Sequence, residues 1–78
     1  MPEALREGPY IFFFYSNDGN EPRHVHVRIE NRYAKFWIEP VELEYSRRMR
    51  PSEVRKVRSI IEKNKIELIS EWDAFFGA

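Results

Sequence analysis

Midway along this chain the hydrophobic period changes from two to 3.6, and that change fixes the fold class. Over residues 24–30 apolar and polar side chains alternate. Val25, Val27 and Ile29 point one way, and His24, His26, Arg28 and Glu30 point the other. A turn at Asn31-Arg32 leads into residues 33–38, where Ala34, Phe36 and Ile38 oppose Tyr33, Lys35 and Trp37. After Glu39-Pro40 the alternation resumes over residues 41–45, with Val41, Leu43 and Tyr45 opposite Glu42 and Glu44. From Pro51 the spacing becomes helical. Val54, Val57, Ile61, Leu68, Trp72 and Phe75 recur at intervals of three, four or seven, and Ile60, Ile69 and Phe76 widen the stripe.

An aromatic run at residues 10–16 lies between Gly8-Pro9 and the turn-rich stretch 17–22, and reads as a strand covered on both faces. Asp18-Gly19 suits a backbone that needs positive φ. Connections between the strands are short, so an antiparallel meander is the economical topology. The expectation is a single α+β domain over residues 1–78. A three- or four-stranded antiparallel β-meander (about 10–16, 24–30, 33–38 and 41–45) carries one long C-terminal amphipathic helix, about 51–76, on one face. Such a helix would be about 39 Å long, and Lys63-Asn64-Lys65 interrupts its stripe, so a bend is expected near Asn64. Pro51 and Glu53 suit its first turn and Gly77 its end.

With 78 residues and no cysteine, the chain has neither a disulfide framework nor a thiolate metal site. Stability must come from packing, chiefly of Phe12, Phe13, Phe14, Phe36, Trp37, Trp72, Phe75 and Phe76. Residues 1–8 lack the apolar core of a signal peptide, and no apolar run approaches membrane-spanning length, which leaves a cytoplasmic location and no membrane partner as the expectation. The net charge is zero, which excludes a protein that coats nucleic acid by bulk basicity. Residues 1–45 nevertheless carry 5 basic and 8 acidic side chains, and residues 46–78 carry 8 basic and 5 acidic.

The functional candidates lie on the polar face. His24 and His26 share it at i and i+2, and Arg28 continues the row. A hairpin between the second and third strands brings Lys35 beside Arg28 or His26, and Tyr15 can join from the first strand. These five residues suit acid–base chemistry on an anion: imidazole exchanges protons near neutrality, while Arg and Lys hold phosphate. The simpler alternative is that both histidines are polar residues on a solvated strand face. His-x-His can also give two imidazoles to a metal, with Asp18, Glu21, Glu42 or Glu44 as a third ligand. Without cysteine or a third histidine, no dedicated metal site and no cofactor is assigned. Glycine-rich phosphate loops, nucleophile elbows and cysteine nucleophiles are absent.

A second cluster, Arg47, Arg48, Arg50, Arg55, Lys56 and Arg58, surrounds the helix start, where the dipole disfavours positive charge. Arg50 stands at the expected N-cap, where Ser, Thr, Asp or Asn caps better. Pairing with Glu39, Glu42 and Glu44 is the simpler account; an anion, either RNA phosphate or an acidic partner surface, is the functional one. Trp72, Phe75 and Phe76 form an apolar end that an overhanging helix would expose as an interface for a homodimer or a small cognate protein.

The run Y-S-N-D-G-N-E-P-R-H-V-H-V-R, followed by A-K-F-W-I-E-P-V-E-L and the terminal W-D-A-F-F-G, resembles the domain of unknown function 4160 family of small prokaryotic proteins. The resemblance runs from Tyr10 to Gly77. Two departures are visible: Arg50 replaces the usual Ser or Thr cap, and Arg47-Arg48-Met49 is unusually basic. His24, His26 and Lys35 carry over as motif positions, without a catalytic role. The resemblance implies a toxin–antitoxin-type two-gene module. Together these observations lead to an expected RNA-acting protein, a metal-independent ribonuclease with a His-x-His acid–base site. The alternative is a non-catalytic module that engages a small partner protein.

Overall fold

The alternating segments do pair as a meander, and a strand ahead of them extends it. The computed structural model describes residues 3–77. Five strands, β1 (Glu3–Glu7), β2 (Tyr10–Phe13), β3 (His24–Ile29), β4 (Arg32–Ile38) and β5 (Val41–Arg47), form one antiparallel sheet in sequence order. The meander thus has five strands in place of three or four, because β1 had no legible alternation: Ala4 and Leu5 are adjacent apolar residues beside an irregularity in the β1–β2 register. The first strand of the expectation is shorter than residues 10–16 and lies inside the sheet, between β1 and β3.

The C-terminal segment forms two helices, α1 (Pro51–Lys63) and α2 (Lys65–Phe76), in place of one. The break falls at Asn64, whose backbone is at φ −112°, ψ 22°. Asn64 Nδ2 donates to the Ile60 carbonyl at 2.9 Å, a side-chain bond to the preceding turn that competes with the helical ladder. α1 packs on β4 and β5 while α2 packs on β1, so the two helices cross one face of the sheet between them. Arg50 caps α1 only through its backbone: its N–H donates to Glu53 Oε1 at 3.0 Å, and its guanidinium has nothing with which to accept a bond. Gly77 closes α2 in the left-handed region, at φ 73°, with its N–H on the Asp73 carbonyl.

Phe12, Val25, Val27, Ala34, Phe36 and Ile38 project from the sheet into Val57, Ile60, Ile61, Leu68 and Trp72 of the helices. Each such side chain contributes about 1.5–3 kcal/mol by leaving water. The opposite face carries no helix. On it β3 and β4 set His24 against Trp37, His26 against Lys35 and Arg28 against Tyr33. Among the described residues no helix is long and apolar enough to cross a membrane.

Candidate functional site

His24 and His26 share a face of β3, as alternation requires, but that face is not solvated at their positions. His24 is 0% exposed and His26 8%. Their cover is local. Residues 14–23 fold back over the start of β3, and a 3-10 turn, Asp18–Asn20, sits above the two imidazoles. Trp72 closes His24 from the helix side at 5.1 Å between rings, and Trp37 flanks it at 5.5 Å. Arg23 ties the segment to α2 through Asp73, with N···O distances of 2.7 and 2.9 Å.

The turn itself departs from expectation. Gly19 does not hold a positive φ; that role falls among glycines to Gly8 and Gly77. A Cβ at Gly19 would stand 2.9 Å from Phe76 Cδ1, so a larger residue there would displace the Phe76 ring. The close approach lets the turn lodge against the end of α2, and so fixes Asp18.

Asp18 is the centre of the site. Its Oδ2 accepts from the Tyr15 N–H at 2.8 Å and from His26 Nε2 at 3.0 Å, and its Oδ1 lies 3.2 Å from His24 Nε2. The tautomer of His24 follows from its other nitrogen. Nδ1 is 2.9 Å from the Pro22 carbonyl, which can only accept, so Nδ1 carries the proton. In the neutral ring Nε2 then carries a lone pair, 3.2 Å from a carboxylate oxygen. It is fully buried and has no hydrogen-bond partner. An unpaired buried polar atom costs about 1–3 kcal/mol. Burial holds the pKa of His26 below the ordinary histidine value, against an upward pull from the Asp18 carboxylate.

The remaining residues divide. Tyr15 joins the cluster, its ring 4.6 Å from that of His26. Lys35 is opposite His26 in register but is already engaged: Nζ lies 2.8 Å from Glu21 and 4.7 Å from the Trp37 ring centroid. Arg28 is half-buried between Ile11 and Tyr33 on the neighbouring strands, two positions beyond His26 and outside the cluster. The two-histidine acid–base pair is therefore corrected. Only His26 reaches the surface, and His24, enclosed by two tryptophans, cannot touch a substrate.

That surface is a concavity of about 360 Å³, whose lining includes Phe13, Tyr15, His26, Tyr33, Tyr45 and Arg47. Tyr15, Tyr33 and Tyr45 are all exposed. Straight alternation put Tyr45 on the apolar face with Val41 and Leu43. The β4–β5 register slips between Lys35 and Phe36, pairing Phe36 with Leu43 but Lys35 with Tyr45, and the extra residue turns Tyr45 to the open face.

The family model described as Domain of unknown function (DUF4160) matches residues 10–73. The chain belongs to that family. No curated protein and no solved structure matches it. The DUF4160 match spans the whole cluster, from Tyr15 through Trp72, and leaves only β1 and the end of α2 outside.

The basic residues of this DUF4160 chain have different surroundings. Arg47 lines the concavity, and Arg58 donates to the Val41 carbonyl at 2.9 Å beneath the Phe36 ring. Arg48, Arg50, Arg55 and Lys56 are exposed. Pairing with Glu39, Glu42 and Glu44 is not found among the described residues: Glu39 binds Arg23, and Glu44 accepts from the Trp37 indole at 3.0 Å. At the apolar end Trp72 is 4% exposed and Phe76 packs against the core. Both are structural, and Phe75 alone of the three stays exposed.

Proposed function

We propose that this protein binds single-stranded RNA on the open face of its sheet and acts on it through the histidine–aspartate cluster beneath that face, as a cytoplasmic component of a toxin–antitoxin-type module. One observation carries this reading: His26, the member of the cluster that lines the open face, shares a concavity with three exposed tyrosines and Arg47. Unstacked bases find flat aromatic partners there, each stacked base contributing about 1–3 kcal/mol. Arg47 offers a phosphate a forked donor. With zero net charge the protein gains little from bulk electrostatics, so stacking supplies most of the affinity. A duplex, whose bases are already stacked, is a poor ligand.

Expression of the protein alone in a bacterial host, beside His26→Ala, tests the activity. Growth arrest with cleavage of cellular RNA in the wild type, and neither in the variant, is the expected outcome. Arrest that survives His26→Ala would remove the cluster from the chemistry.

A non-catalytic, protein-binding reading is favoured by one feature. Phe75, 43% exposed, lines a shallow hollow with Ala4, Phe14 and Ala74 beside Glu3 and Glu71. A small cognate protein seated there would be released by Phe75→Glu while the fold persists.

A further inference from the structure

We infer that Asp18, His24 and His26 form a binding site for one divalent transition-metal ion of the zinc class. The metal site stands on the cluster's geometry alone; only its use on RNA rests on the function proposed above.

Three ligand atoms converge: one from the Asp18 carboxylate and one nitrogen from each imidazole lie within 4.8 Å of one another. The carboxylate oxygens are 3.2 Å from His24 Nε2 and 3.0 Å from His26 Nε2. Ligands held about 2.0–2.2 Å from a zinc ion stand about 3–3.5 Å apart, so the two imidazole–carboxylate spacings are those of ligands to a shared cation. The second observation is independent of the spacing. His24 Nε2 is fully buried, has no hydrogen-bond partner, and carries a lone pair beside the carboxylate because Nδ1 donates to the Pro22 carbonyl. A backbone carbonyl fixing the far nitrogen is the usual support of a metal-bound histidine. A proton between His24 and Asp18 satisfies one pair of atoms; a divalent cation satisfies all three.

Chemical class follows from the donors. Two imidazoles and one carboxylate, with no thiolate, suit Zn²⁺, Co²⁺ or Fe²⁺ better than Mg²⁺ or Ca²⁺, which favour all-oxygen sites. Binding displaces the proton that His26 Nε2 otherwise directs at Asp18. Three protein ligands leave a coordination position for water or substrate, the pattern of catalytic sites. The cluster surfaces at His26, in the tyrosine-lined concavity. A bound ion there supplies a Lewis acid for a phosphate oxygen.

The test uses untagged, chelator-stripped full-length protein titrated with Co²⁺, followed by visible absorption and by equilibrium dialysis. The chain has only two histidines and no cysteine, so imidazole ligation reports this cluster alone. One Co²⁺ per chain is expected, with ligand-field bands that Zn²⁺ abolishes and shifts of both histidines' imidazole ¹⁵N resonances on zinc addition. Asp18→Asn and His24→Gln should each weaken binding at least tenfold, and Glu42→Gln, on β5 with Trp37 between it and His24, should leave it unchanged. Should His24→Gln fail to fold, wild-type stoichiometry and Asp18→Asn decide. A folded wild type without cobalt bands at severalfold excess metal, or an Asp18→Asn variant of undiminished affinity, would overturn the site. A protein that takes cobalt but ignores RNA would retire the RNA reading and leave this one intact.

Discussion

The two faces of this sheet come from the same five strands and differ in what they bury. The helix-covered face buries hydrocarbon, its side chains in one cluster with Val57, Ile60, Ile61, Leu68 and Trp72 of the helices. The open face has no helix, yet it buries two imidazoles and a carboxylate under a ten-residue excursion between β2 and β3. Packing explains the first face completely. It does not explain the second, where enclosing polar atoms, one of them unpaired, works against stability.

Truncating one side chain on each face of adjacent strands separates the two most strongly. Phe36→Ala on the covered face should cost about 3–5 kcal/mol in chemical denaturation. Tyr45→Ala on the open face should change stability by no more than about 0.5 kcal/mol. Equal losses would mean that the open face is part of the core and the distinction is false. Asp18→Ala addresses the buried polar cluster itself. By leaving the Tyr15 N–H and His26 Nε2 without their acceptor, it should destabilise the protein by about 1–3 kcal/mol, read from the denaturation midpoint. A stabilised variant would show that the cluster is strained and unliganded. The smallest stability change concerns the link from β5 to α1, where the chain passes from sheet to helix layer. Arg48 there has φ 66°, and Arg48→Gly should raise stability by about 0.5 kcal/mol after the entropy of a new glycine is counted. A loss on that substitution would assign the Arg48 side chain a structural contact.

The covered face was legible because it is periodic. Val25, Val27, Phe36, Ile38, Val57, Ile61 and Leu68 each follow a simple repeat, and all are buried. Hairpin geometry set Lys35 beside either Arg28 or His26; the tight turn at Glu30-Asn31, one residue earlier than Asn31-Arg32 suggested, places it opposite His26. Asn64 marked its own break, since an Asn between two lysines interrupts the apolar stripe and can bond back to Ile60. What stayed hidden was aperiodic. The slip that turns Tyr45 outward has no residue signature, so alternation misplaced the tyrosine. Asp18 was one of four carboxylates offered as a third ligand, and only the fold of the 14–23 segment singles it out. That fold depends on Gly19 meeting Phe76, a contact between residues 57 positions apart that no local pattern encodes. Burial of His24 depends likewise on Trp72, which the helical stripe marked as apolar without saying which side of the sheet its edge would reach.

Whether the open face receives single-stranded RNA is decided by a fluorescence anisotropy titration with a short labelled single-stranded RNA. It should compare wild type with Tyr45→Ala, alongside the same sequence as a duplex. Binding of the single strand, weakened about tenfold or more by Tyr45→Ala and far weaker for the duplex, is the expected result. Equal affinity of wild type and variant, or no preference for the single strand, would contradict it.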